Sequence, residues 1–153
     1  MLSFLMFTLA YVLLFYFYDG YFLVGNSMEP TLHEEDFVLV QTETEAFERR
    51  DVVLFQPEDS EWIFSKRIIG LPGEIVEGRN HRVYINEKPL AEPYTQPSIN
   101  DFGPVKVPKD HVFVLGDNRL ESADSREFGP IPIRSIIGRA DVIVYPLNHL
   151  KWL

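Results

Sequence analysis

The chain of 153 residues contains no cysteine, so neither a disulfide framework nor a thiolate metal centre is available to it. A chain without thiols is compatible with an oxidising exterior but does not require one. The first 18 residues hold no Asp, Glu, Lys or Arg. The formal net charge of -9 therefore falls entirely on residues 19–153. An acidic domain argues against binding nucleic acid through phosphates. There is no H-E-x-x-H, and the four histidines (His33, His81, His111, His149) lack ligand spacing. No metal and no cofactor is expected. There is no G-x-S-x-G elbow either, because Ser27 has Glu29 where the second glycine belongs. With 23 acidic residues, carboxylate pairs carry no information about glycosidase chemistry.

What the N-terminus does hold is one apolar run, LSFLMFTLAYVLLFYFY, of 17 residues. As a helix it would span roughly 25 Å, against a hydrocarbon core of roughly 30 Å. YFLV, after Asp19-Gly20, could extend it, and the aromatic crowding at residues 15–18 suits a membrane interface. A cleaved signal peptide would want a basic start and a small-x-small exit, and neither is present. A buried core helix would show an amphipathic face, and none is visible. The expectation is a single membrane anchor over residues 1–24, with the acidic domain outside the cytoplasm.

Residues 25–153 read as one all-β domain. DFVLVQ, DVVLF, EWIFSKRIIG, EIVEG, RVYINEKPL, HVFVLGD and IIGRADVIVYP are short runs rich in Val, Ile and aromatics. Turn residues such as QPEDS, LPGE, EGRN and VPKD separate them. Short antiparallel strands at near-regular spacing predict a folded sheet or barrel. Residues 91–109 carry Pro93, Pro97, Pro104 and Pro108 and read as a long loop.

A serine hydroxyl needs a base before it can act as a nucleophile. None of the histidines sits in a catalytic setting, but a lysine can serve if burial lowers its pKa from about 10.4. Lys66 is the one lysine embedded in an apolar strand, flanked by Ile63, Phe64, Ile68 and Ile69, with Phe64 and Ile68 on its own face. Taken alone, the same pattern also fits an edge-strand lysine that discourages aggregation.

GNSMEPTL (residues 25–32), RRDVVLF (49–55), SKRIIGLPGE (65–74) and GDNRLESADSREFGPI (116–131) resemble, in order, the motifs of the bacterial type I signal peptidases. The last is the most specific. The short loops resemble the compact Gram-positive form. The resemblance implies that Ser27 is the nucleophile, Lys66 the general base, and Ser122 the hydroxyl that holds the lysine. It makes the Ser27 N–H an oxyanion donor. It pairs Asp117 with Arg67, and Asp124 with Arg126, as structural residues near the site. Leu23, Met28, Leu32 and Phe64 would line the pocket before the cut, and Val38 and Leu54 the one two residues upstream. Ser65 stands where an apolar residue is commoner. Gly25 replaces a serine that supplies a second oxyanion donor in some members, and Arg50 replaces a usual glycine. Lysine at position 66 separates the chain from the endoplasmic-reticulum branch. The implied partners are the lipid bilayer and preprotein signal peptides with small-x-small before the cut. A narrower maturation or pilus-type peptidase, and an anchored domain that binds exported chains without cutting, are the other readings.

Overall fold

The computed structural model describes residues 6, 16–44, 46–96 and 98–153. It is all-β and antiparallel, as expected. Among the described residues twelve strands run in chain order: β1 (Tyr18–Phe22), β2 (Phe37–Gln41), β3 (Val52–Phe55), β4 (Phe64–Gly70), β5 (Ile75–Arg79), β6 (Arg82–Ile85), β7 (Lys88–Pro89), β8 (Phe102–Lys106), β9 (His111–Leu115), β10 (Ile131–Pro132), β11 (Ile136–Tyr145) and β12 (Lys151–Trp152). They form two sheets. The larger has the order β1-β2-β11-β3-β4-β9-β10, with β12 also on β11, and the smaller has the order β7-β6-β5-β8.

Every residue of β3 is buried, so VVLF cannot show alternation. Its two faces feed two cores. Val52 and Leu54 pack with Leu23, Met28, Leu32, Val38, Val40, Ala140 and Ile143. Val53 and Phe55 pack with Ile68, Val112, Val114 and Ile131. A third cluster, built from Ile69, Val76, Val83, Ile85, Phe113 and Leu115 among others, joins the small sheet to β4 and β9. The handover occurs at Gly70, where a Cβ would lie 2.4 Å from Val76 Cγ2. Only glycine allows β4 and β5 to approach there.

Two expectations about the chain need correction. Residues 18–22, expected to belong to the anchor, form β1 and pair with β2 from Tyr18↔Gln41 to Phe22↔Phe37. Tyr21 packs on the first core, and Tyr18 donates from its hydroxyl to Asp141 Oδ2 at 2.9 Å. Tyrosine and phenylalanine favour a pleated half-buried edge over a helix. The sheet therefore begins before residue 25. The rest of the expected span lies almost wholly outside the described residues, and among the described residues no helix is long and apolar enough to cross a membrane. The second correction concerns residues 91–109. They contain β8, which pairs with β5. Pro104 is tolerated because β8 is an edge strand, so the missing N–H costs no ladder bond.

Candidate active site

Ser27 lies in the turn after β1. Glu29 N donates to Asn26 O at 3.1 Å, and Leu32 N to Met28 O at 3.0 Å, which closes the turn. Asn118 N donates to Ser27 O at 3.0 Å and Asn118 Nδ2 to Asn26 O at 3.2 Å, so the turn is held by the loop after β9. Lys66 stands on β4 opposite Val53. Its Nζ donates to Ser27 Oγ at 2.7 Å and to Ser65 O at 2.9 Å. Thus two groups 39 positions apart in sequence meet.

Lys66 is only 3 % exposed. Burial pushes its pKa down to about 8, against a partial upward pull from the Asp124 carboxylate. Desolvation wins because Asp124 is itself committed elsewhere. Its oxygens accept from Arg126 Nε and Nη2, both at 2.8 Å, and from Gly116 N at 3.0 Å. Asp124 also caps the helical turn Ser125–Phe128 by accepting from Arg126 N. Ser125 Oγ accepts from Val114 N at 2.9 Å. Two N–H groups on the β9 edge past β10 are thus satisfied by side chains.

Arg67 forms a fork on Asp117, with Nε to Oδ1 at 2.8 Å and Nη2 to Oδ2 at 2.6 Å. Thr31 Oγ1 donates to Asp117 Oδ2 at 2.5 Å, tying the Ser27 turn to the same carboxylate. Arg67 Nη1 donates to Arg50 O at 2.8 Å. Arg50 keeps the turn of the usual glycine by adopting φ 82°, a conformation that strains a residue with a side chain.

The hydrogen bond expected between Ser122 and Lys66 is not formed: Ser122 Oγ is buried without a hydrogen-bond partner, while Lys66 Nζ donates to Ser27 Oγ and Ser65 O. Ser122 is nevertheless packed beside the site. A Cβ on Gly116 would lie 2.2 Å from Ser122 Oγ and 2.4 Å from Ser27 O. Gly25, at φ 87°, has open space where a side chain would begin.

A groove of about 400 Å³ opens beside Ser27 and Lys66. Of the expected pocket residues, Leu23, Leu54, Phe64 and Ser65 line it. Met28, Leu32 and Val38 instead sit behind it in the first core, each nearly inaccessible. Sequence reasoning missed Tyr21, Phe22, Val24, Glu61, Trp62 and Ile63 on its walls. Most of these flank the motifs directly, which was the available signal. Among the described residues no cluster of His, Asp and Glu could hold a metal.

A hydroxyl hydrogen-bonded to a buried amine of lowered pKa, beside an apolar groove, is an arrangement suited to acyl transfer. The family model for signal peptidase, peptidase S26, matches residues 1–145. The chain belongs to the signal peptidase family. It is 37% identical over 159 residues to signal peptidase I of Bacillus amyloliquefaciens, covering 94% of this chain and 82% of that one. It is 40% identical over 144 residues to signal peptidase I of Leptolyngbya laminosa, covering 86% and 71%. The crystal structure of a signal peptidase I from Enterococcus faecalis V583 is 34% identical, with a TM-score of 0.56, covering 62% of this chain and 97% of that one. Like the rest of the signal peptidase family, the protein is a serine peptidase, and its function is removal of signal peptides from preproteins.

Proposed function

We propose that the protein is a membrane-anchored signal peptidase in which Ser27 is the nucleophile and Lys66 the general base. The observation that carries this is the 2.7 Å contact between Lys66 Nζ and Ser27 Oγ with the amine withdrawn from water. Neutral Lys66 accepts the Ser27 hydroxyl proton as Oγ attacks the carbonyl carbon before the cut. The Ser27 N–H donates to the oxyanion that forms. The C–N bond then breaks, and the lysine's proton passes to the leaving amine of the mature protein. A water next gives a proton to Lys66 and attacks the acyl-serine, which frees the signal peptide carboxylate and restores Ser27.

The substrate is an extended chain with small-x-small before the cut, added as a strand along the free edge of β4 ahead of Lys66. Leu23, Leu54 and Phe64 line the groove there, and the shallow apolar subsites selecting small residues would reject a large side chain by clash rather than weak binding. The charge-free N-terminal run anchors the enzyme to the bilayer, with the catalytic domain on the extracytoplasmic side. Exposed Phe22, Val24, Trp62 and Ile63 at the groove rim suit the same lipid surface. The substrate's cut point leaves the bilayer just past its own apolar helix, and anchoring holds Ser27 at that depth. A binding module would have no use for a desolvated amine beside a serine.

The test is a detergent-solubilised sample given a peptide containing Ala-x-Ala. Cleavage after the second alanine should fall by at least about 10³-fold in both Ser27→Ala and Lys66→Ala, since removing a dyad member leaves only binding and oxyanion stabilisation. Undiminished cleavage in Lys66→Ala would remove the lysine from the mechanism.

A further inference from the structure

The loop between β7 and β8 belongs to the small sheet and touches none of the reacting groups, yet it grips the platform beneath them. Glu92 accepts from Arg119 Nη2 at 2.6 Å and from Nη1 at 3.1 Å. The Arg119 side chain is 2% exposed and that of Glu92 11%. Tyr94 donates its hydroxyl to Glu92 Oε1 at 3.1 Å. Burial and the neighbouring Glu92 raise the Tyr94 phenol's pKa, which keeps it a donor. The Arg67 guanidinium lies 4.1 Å from the Tyr94 ring centroid. Thr95 Oγ1 donates to Asp117 O at 2.6 Å. From the other side, Arg119 Nε donates to Gly116 O at 2.9 Å and Arg126 Nη1 to Arg119 O at 2.7 Å. Gly116 is the residue packed against Ser27 O and Ser122.

We propose that Glu92 is a positioning residue for the reaction: through Arg119 it sets the Gly116 backbone against Ser27, and so the alignment of Ser27 with Lys66. Residues 92–95 are then a clamp by which the small sheet fixes the active site of the large one. The physical reason is directional. A bidentate carboxylate fixes both the position and the plane of a guanidinium. Here the third guanidinium nitrogen is the one that holds Gly116 O. With the carboxylate gone, Arg119 stays buried with its charge uncompensated and draws toward water. Gly116 and the contacts across Ser27 O follow it. This inference rests on the reading of Ser27 and Lys66 as the reacting pair.

The experiment uses the full chain in detergent with the Ala-x-Ala peptide. Glu92→Gln keeps the size and removes the charge. It is expected to lower kcat about 10-fold or more with KM within about twofold, because misalignment penalises chemistry while the groove is untouched. The ionisation governing kcat/KM should move upward, toward an ordinary lysine, as water reaches the amine. Glu92→Asp, which restores the charge, should recover part of the kcat loss. A fall in melting temperature with an unchanged kcat and pH profile would make Glu92 merely structural and overturn the proposal. If Glu92→Gln does not fold, Tyr94→Phe decides, since it removes only the hydroxyl that orients Glu92. A kcat loss of about threefold with the same upward shift supports the clamp, and wild-type kinetics overturn it. Cleavage surviving in Ser27→Ala would instead sink the nucleophile assignment, and the clamp with it.

Discussion

Lys66 shows how one residue can be costly to the fold and useful to the chemistry for the same reason. Its pKa of about 8 comes from desolvation. At pH 7 only about a tenth of the molecules would hold the neutral amine, and at pH 9 about nine-tenths. With Lys66 as base, kcat/KM should rise with pH through an ionisation near 8 and level off above it, measured on a peptide without titratable groups. A profile governed by a group near pH 4 would point to a carboxylate instead. The same burial has a stability signature with a definite sign. The unfolded chain keeps a lysine of ordinary pKa near 10.5, so between about 8 and 10.5 it binds more protons than the folded one. The Lys66 contribution to stability therefore increases with pH across that window, and the full penalty is present below it. The penalty is about 3 kcal/mol, from roughly 1.36 kcal/mol per pKa unit. Lys66→Met should accordingly be more stable than wild type at pH 7, and the gain should shrink toward pH 10.5 in denaturant titrations. A gain that is flat with pH would mean that the amine is not desolvated.

At the scale of elements, the Ser27 turn, β4 and the loop after β9 meet at the Arg67–Asp117 pair. Both side chains are buried, with 7% and 0% exposed. Breaking a buried pair leaves an unmatched charge and costs about 3–5 kcal/mol, far more than a surface pair. Asp117→Asn should lose about that much in equilibrium unfolding and should also release Thr31 from its carboxylate partner. A loss below about 1 kcal/mol would mean that water already reaches the pair. The strands most legible in the sequence were those bounded by turn chemistry, such as β4, β5 and β6. β1 was hidden because an apolar aromatic run fits a helix and a strand equally well. β8 was hidden because Pro104 marks either a loop or an edge, and only the partner strand decides which. For the site, no local pattern could bring Ser27 to Lys66 or Arg67 to Asp117, and the motif resemblance supplied both. Glu92 and Arg119 stayed invisible because each sits in a polar loop, 27 positions apart, and burial exists only after the two sheets dock. The sequence also could not tell a groove wall from the layer behind it. Leu54 lines the groove while Val38 does not, although both are nearly inaccessible and belong to one core.

For the whole molecule, the folded sheet begins earlier than the apolar run suggests. β1 is paired over five residues, and Leu23 beyond it is 8% exposed in the first core. The folded sheet therefore takes in residues from about 18 onward, and the charge-free run before them is the segment proposed as the membrane anchor. Two truncations separate these roles. A chain starting at residue 16 should keep its melting temperature within a few degrees and cleave the soluble peptide at near-wild-type rate. Its sedimentation with liposomes should fall sharply, leaving only the weak contribution of the exposed Phe22, Val24, Trp62 and Ile63. A chain starting at residue 25 loses β1 and the buried Leu23, a deletion worth at least about 3 kcal/mol by analogy with large-to-small core changes. For a domain of this size that is roughly a 10 °C fall in melting temperature. It also strips Tyr21, Leu23 and Val24 from the groove wall, so KM should rise as kcat falls. If the chain starting at residue 16 sedimented with liposomes as fully as the intact one, the anchor would have to be sought on the folded surface. If the chain starting at residue 25 kept wild-type stability, β1 would be an ornament of the sheet and not part of the enzyme.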